Sequence, residues 1–492
     1  MARFQRCLPL PLALVLLALP PLLVNQPAGA QQSRSDRMAA APAPGQDPQL
    51  RVLLQAAPTL QLAVVGADGF RLRDHQGRVL QELRSAQALQ LQVDRGWLEA
   101  RAVLMPSASG AVPVAGGVLA APQLWIEPLV AAPTLSPDPA LVVQQRRYRG
   151  RLQLLVRDGA VQVINHVPLE TYLASVVGSE MPASWPQQAL QAQAVAARTY
   201  ALKARKPAAA YDLKATVASQ VYRGIEAETP STRQAVEATR GLVITYGRNL
   251  IDAVFHSSSG GSTESSGDLW PQQLPYLVSV PDFDQDSPVH QWRQPLDPAL
   301  LTRAFAEIGG LRGIEVLATT PSGRVRQVRV VGPAGQLVLS GANLRSRLGL
   351  RSTWVRFELD LPAMNAASPT AGSLAAAPLA PPLEAPPPLP AFSLPPTDAQ
   401  PVVAAAAALS LPRWVAVGRG FGHGIGMSQW GAYGLARRGE SYVAILRHYY
   451  RGTQLTPYSQ LALVPAAASG SAGVQASAAD AQVVATASRP RP

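Results

Sequence analysis

From Arg51 to about Val143 the chain runs in short apolar or alternating segments: RVLLQ, LQLAVV, FRLRD, LQLQV and LWIEPLV. Asp68-Gly69, Gln76-Gly77 and Arg95-Gly96 punctuate them. Period-two runs bounded by turn residues predict a β-rich region. RYRGRLQLLVRDGAVQVINHV (147–167) continues it as a hairpin with Asp158-Gly159 at the turn. The period changes after Pro168. Leu169, Tyr172, Leu173, Val176 and Val177 fall at i, i+3, i+4, i+7 and i+8, one apolar helical face. Pro168 suits the first turn of that helix and Gly178 its C-terminal cap. Ser184-Trp185-Pro186-Gln187 has the spacing of a capping box, so a second, alanine-rich helix is expected from about Trp185 to Lys203. Ser179-Glu180-Met181-Pro182-Ala183 links the two.

Strands and loops return over 241–280. A hairpin is expected with its turn at Gly247-Arg248-Asn249, followed by the polar, glycine-rich HSSSGGST (256–263). Residues 298–308 and 342–348 pattern as short helices. VRQVRVVG, QLVLSG and STWVRFELD pattern as strands. Residues 361–413 are rich in proline and alanine and carry only Glu384, Asp398 and Arg413 as charges, the composition of a disordered segment. A strand (414–418) and two short helices follow. The roughly 50 residues after the segment are too few for an independent core, so it is read as an insertion that loops out of one domain. The expected organisation is a leader at 31–50, a β-rich N-terminal region at 51–146, a mixed domain in two parts (147–360 and 414–464) and a disordered tail at 465–492. The expected fold class is α+β.

Residues 1–30 resemble an export signal: Arg3 and Arg6, the apolar run 8–24, then Ala28-Gly29-Ala30. Four prolines in that run weaken a membrane-spanning helix, so no stable span is expected after cleavage, and the mature protein is placed in the periplasm or cell wall. The single cysteine, Cys7, lies in this segment, which excludes a disulfide framework, a cysteine nucleophile and a thiolate metal site from the mature chain. The net charge is +12, and apart from Lys203, Lys206 and Lys214 its basic residues are arginines scattered along the chain. Such a balance favours an anionic wall or membrane surface without specifying it. There is no nucleic-acid motif, and no nucleic-acid partner is expected.

Four segments could carry chemistry. Glu180 sits in a link constrained by Met181-Pro182, with Trp185 near. Desolvation there would raise its pKa, as a general acid requires; capping the next helix or pairing with Arg198 is the plain alternative. In the second helix, Gln193 and Tyr200 share a face, and a Gln or Arg198 could face a sugar cleft; simple packing is the competing reading. His256 and Ser257 open a hydroxyl-rich loop with Gly260 and Gly261, without the G-x-S-x-G elbow of a serine hydrolase. Glycine occupies every second position from Gly418 to Gly426, around His423. In extended conformation this would give one bare face, with Arg419, Phe421, His423, Ile425 and Met427 on the other. Tight packing competes with ligand approach, and the spacing is not a phosphate loop. The six histidines form no metal motif, so no metal and no cofactor are expected.

VPLETYLASVVGSEMPASWPQQALQAQAVAARTYAL (167–202), ASQVYRG (218–224), FHSSSGGSTESSGDLW (255–270), PYLVSV (275–280) and GRGFGHGIGMSQWGAYGLARRGESYVAILRHYYRGTQL (418–455) together resemble the SpoIID/LytB family of bacterial cell-wall proteins. The resemblance implies a lytic transglycosylase that cleaves the MurNAc–GlcNAc bond of peptidoglycan to a 1,6-anhydro end, with Glu180 as the catalytic glutamate. It implies substrate contacts at Gln193, Arg198, Tyr200, Gln220, Tyr222, His256, Ser257, Gly260, Gly261, His423 and Gln429. Peptidoglycan glycan strands are the implied partner. LytB-type members were named as enhancers of a wall amidase, which makes an amidase a second implied partner and a non-catalytic, wall-binding enhancer the alternative function. Some members bind zinc through Cys and His near a CQVY motif. That motif here reads Ser219-Gln220-Val221-Tyr222, so no such site is expected.

Overall fold

The computed structural model describes residues 47–65, 69–83, 87–104, 118–129, 140–360 and 413–461. The expected export signal, nearly all of the leader and the insertion, and the tail lie outside them. Gln49 and Leu50, assigned to the leader, and Arg413, assigned to the insertion, are strand residues.

The alternating N-terminal pattern forms two facing sheets. One runs in the order Leu213–Lys214, Gln49–Ala57, Ala160–Pro168, Arg151–Arg157, Gln123–Pro128, Phe70–Asp74, Val79–Leu83. The other runs Arg146–Tyr148, Ala140–Val143, Thr59–Val65, Gln87–Asp94, Trp97–Leu104, Leu119–Ala121. Leu50, Val52, Leu72, Leu152 and Val163 of the first and Leu62, Leu89, Leu91, Leu98 and Leu141 of the second are buried in one cluster between them. Burying one face of each sheet is what fixes strand register. Gln49–Ala57 pairs antiparallel with Ala160–Pro168, from Gln49↔Pro168 to Ala57↔Val161, so the first strand and the 151–168 hairpin share a sheet. The hairpin turns at Asp158 (φ 53°) and Gly159 (φ 72°), both left-handed, as a two-residue primed turn requires.

The Ala160–Pro168 strand feeds the Leu169–Glu180 helix directly. The helix extends past Gly178, which is therefore not a cap. A Cβ at Gly178 would lie 1.9 Å from the Ala227 carbonyl oxygen, so the missing side chain serves a close approach of the 225–227 turn. The next helix begins at Gln187 with Pro186 at its N-cap and no side-chain cap bond. The expected capping box does not form; Gln187 Nε2 donates to the Ser231 carbonyl instead. Buried Ala192, Ala194, Ala196 and Ala197 let this helix pack closely among Leu169–Glu180, Pro230–Ala238, Gln429–Arg437 and Tyr442–Tyr449.

A second, smaller core forms around Trp292, Phe305, Ile308, Val328, Val330, Leu344 and Leu348. It holds the strands Gly313–Thr319, Val325–Gly332 and Gly335–Ser340 and the helices Pro298–Ala304 and Gly341–Leu348. A second sheet contributes Trp292, Val355 and Ala416 to the same core, with Arg413–Arg419 as the central strand between Gln291–Pro295 and Val355–Asp360. Asp360 pairs directly with Arg413. The described chain thus stops and resumes at adjacent strand ends. The architecture is α+β. Among the described residues no helix is long and apolar enough to cross a membrane.

Candidate functional site

Glu180 closes its helix, because Pro182 and the extended Met181 end the helical backbone. Its side chain is half-buried. Oε1 accepts from the Val221 backbone N–H at 2.9 Å and Oε2 from Gln429 Nε2 at 3.2 Å. Burial raises its pKa, against the lowering effect of these two hydrogen bonds and of the Arg223 charge. Glu180 neither caps the next helix nor pairs with Arg198.

The Val221 N–H is aimed by its neighbours. Gln220 is buried, accepts from the Tyr172 hydroxyl at 3.1 Å and donates to the Ala197 carbonyl at 3.3 Å. The buried Tyr222 hydroxyl donates to Asn165 Oδ1 at 3.0 Å. Both side chains face inward and fix the loop rather than lining an open cleft. Arg198 is fully buried and makes a two-pronged ion pair with Glu170, at 2.8 and 2.7 Å, with further bonds to the Leu242 and Val236 carbonyls. Gln193 is equally buried, and neither of its amide atoms has a partner among the described residues. Expected to face a cleft, Arg198 and Gln193 are core residues: close helix packing leaves their side chains no solvent side. Tyr200 is half-buried, its phenol raised chiefly by burial and lowered by a hydrogen bond with Ser219.

Phe255–His256 and Met427–Ser428 form a short parallel pair, and the Trp430 N–H donates to the Ser257 carbonyl. These links join the histidine loop to the helix that carries Gln429. His256 Nδ1 lies 3.2 Å from the Ile425 carbonyl; His423 Nε2 lies 3.0 Å from the Phe255 carbonyl. The two rings are 5.2 Å apart. Burial depresses both imidazoles, His423 to about 4, so both are neutral at physiological pH.

The glycine run is not an extended ribbon with one bare face. Gly420, Gly422, Gly424 and Gly426 all have left-handed φ, between 69° and 123°. A Cβ at Gly422 would lie 2.6 Å from His256 Cβ, one at Gly424 2.5 Å from Arg324 Cζ, and one at Gly426 2.2 Å from the Val254 carbonyl oxygen. The glycines admit protein backbone and side chains, which is the tight-packing reading.

Sequence reasoning missed the acids beneath the loop. Asp284 Oδ2 accepts from Ser258 Oγ at 2.5 Å and from the Gly260 N–H at 2.7 Å, and His290 Nδ1 lies 3.0 Å from Oδ1. Asp282 accepts from Ser259 Oγ and the Tyr449 hydroxyl, each at 2.5 Å, and from Ser428. Burial, then the Asp284 charge, raises the Asp282 carboxyl. Gly261, half-buried, follows in left-handed conformation. This network fixes both the Ser258–Gly260 backbone and Ser428, the N-cap of the helix bearing Gln429. The spacing of PDFD signals little locally, because apart from His290 its partners lie far along the chain, at Ser258–Gly260, Ser428 and Tyr449. Also missed were Trp430 and Tyr433, which with Trp185 form a half-buried aromatic cluster with centroids 4.8 to 5.4 Å apart. Trp185 and Trp430 flank Glu180 and Gln429 in sequence, the one available signal. Among the described residues no three His, Cys, Asp or Glu side chains are grouped to hold a metal ion.

The arrangement presents one partly desolvated carboxyl with donors on both oxygens, one of them supplied by the helix to which the histidine loop is tied. That is suited to proton transfer rather than to nucleophilic hydroxyl catalysis. Residues 157–246, which include Glu180, match the family described as Stage II sporulation protein, SpoIID. The chain is 31% identical over 303 residues to the amidase enhancer of Bacillus subtilis (strain 168), covering 58% of this chain and 40% of that protein. It is 27% identical over 317 residues to the stage II sporulation protein D of the same organism, covering 60% of this chain and 77% of that protein. It is 28% identical over 316 residues to the stage II sporulation protein D of Bacillus amyloliquefaciens, covering 60% and 75%. The match thus spans less than half the length of the amidase enhancer. The chain carries a SpoIID-family domain and is related to both stage II sporulation protein D and the amidase enhancer.

Proposed function

We propose that this protein is an exported peptidoglycan lytic transglycosylase, with Glu180 as its single acid and base. The observation that carries the reading is the environment of Glu180: burial favours its neutral form, while the Val221 N–H and Gln429 are in place to receive the carboxylate. The neutral carboxyl donates its proton to the oxygen bridging MurNAc and GlcNAc as the C1–O bond breaks. The carboxylate then takes the proton of the MurNAc 6-hydroxyl, whose oxygen bonds to C1. The products are a 1,6-anhydro end and a free GlcNAc hydroxyl, and Glu180 is again protonated. No water enters, so the second carboxylate of an ordinary glycosidase is not needed. Tyr200, His256, Ser257, His423 and Gln429, with the Gly260-Gly261 turn, remain the proposed contacts for sugar hydroxyls and acetamides. The export signal, the periplasmic or wall location and a looped-out insertion between Asp360 and Arg413 belong to the same proposal; the pairing of those two residues supports the last.

Digestion of purified glycan strands, with the products weighed, tests it. Anhydro-ended fragments that disappear in Glu180→Gln are expected. Reducing ends would mean hydrolysis and refute the mechanism.

The similarity to an amidase enhancer favours a second reading, a wall-binding protein that stimulates a peptidoglycan amidase without cleaving glycan itself. Intact strands together with faster release of stem peptides by an added amidase would select it.

A further inference from the structure

We propose a second glycan-binding surface, distant in sequence from Glu180, on the outer face of the six-stranded sheet. Alternate residues of a strand share a face. On Thr59–Val65, Gln87–Asp94 and Trp97–Leu104 the leucines Leu62, Leu89, Leu91 and Leu98 point into the core. The opposite face is set by the pairing register. Thr59, Gln92 and Glu99 stand side by side in one transverse row, and Gln61, Gln90 and Arg101 in the next. These six residues line a groove of about 430 Å³. The row beyond pairs Asp94 with Trp97, a residue that is 52% exposed.

The chemistry of this face selects its ligand. Each glutamine amide offers two donors and an acceptor, the complement of hydroxyl and acetamide groups. Gln92 Nε2 already donates to Glu99 Oε2 at 2.6 Å, which orients one amide across the strands. One acid and one base in the two rows leave them neutral, which disfavours a polyanion such as nucleic acid. Trp97 offers an apolar plane for the C–H face of a pyranose ring. The fitting ligand is an acetamide-bearing polysaccharide. Held there, a strand would be retained near the catalytic part of the same chain, raising its effective concentration. The inference shares with the proposed function the assumption of a wall glycan, but not that Glu180 is catalytic.

The test uses the full chain carrying Glu180→Gln, so that strands are bound without being consumed. Retention is measured on purified insoluble peptidoglycan and on chitin, with cellulose as the polymer lacking acetamides. Retention on the first two and not on cellulose is expected. Trp97→Ala, and separately Gln90→Ala with Gln92→Ala, should each lower it about tenfold. With Glu180 intact, both variants should degrade short soluble fragments at the parental rate. Unchanged retention in both variants, equal retention on cellulose, or slower cleavage of short fragments overturns the proposal. Were Glu180 not catalytic, no fragments would form, yet retention would still respond to these substitutions.

Discussion

Gln429 Nε2 lies 3.2 Å from Glu180 Oε2, although 249 positions separate the two residues. The contact stabilises the charged carboxylate and opposes the effect of burial. Replacing Gln429 by leucine removes that opposition and raises the Glu180 pKa further. If the neutral carboxyl starts the reaction, activity falls as pH rises through that pKa, and the falling limb moves to higher pH in Gln429→Leu. A pH–rate profile on purified strands checks this; an unmoved or lowered midpoint contradicts it.

Glu180→Gln should reduce strand cleavage by about 10²- to 10⁴-fold, the usual contribution of general acid–base catalysis. Stability should move the other way. A carboxyl with a raised folded-state pKa contributes stability below its unfolded value, 4.5, which is lost as pH rises through the folded value. At pH 7 the parent carries that loss and the glutamine variant does not. The variant should therefore melt no lower at pH 7, and its advantage should shrink on acidification toward pH 4. A variant that melts lower at pH 7 would show that the carboxylate is held more favourably than its burial implies.

Gly426→Ala places a Cβ 2.2 Å from the Val254 carbonyl oxygen at φ +72°. Strain and clash together should cost about 2–4 kcal/mol. Gly247→Ala has a similar φ, +60°, but no atom within 4 Å of the new Cβ. It should cost only about 1–2 kcal/mol. Denaturant titration of both variants compares the two; equal losses would mean that close approach is not what glycine provides at 426.

Arg198 and Glu170 form a fully enclosed pair. Arg198→Met leaves a buried carboxylate alone and should cost about 3–5 kcal/mol, whereas Arg198→Met combined with Glu170→Leu should restore much of the loss. Michaelis constants of the folded double variant should match the parent. A raised KM at full stability would return Arg198 to the substrate.

Local pattern by itself determined much of this protein. The change of period at Pro168, the Asp158-Gly159 turn, the helix through Leu169, Tyr172, Leu173 and Val176, and the break at Met181-Pro182 just after Glu180 all rest on neighbours within a few positions; that the helix runs on through Gly178 to include Glu180 does not. Backbone geometry acts at that range. Only the tertiary structure decided what meets Glu180, which residue pairs with Arg198, and why the run from Gly418 to Gly426 is glycine. Gln429, Asp282 and Asp284 find their partners across tens to hundreds of positions. The glycines curl into left-handed conformations to pass Val254, His256 and Arg324. Such contacts are fixed by the filling of space when helices and sheets dock, and no spacing along the chain encodes them.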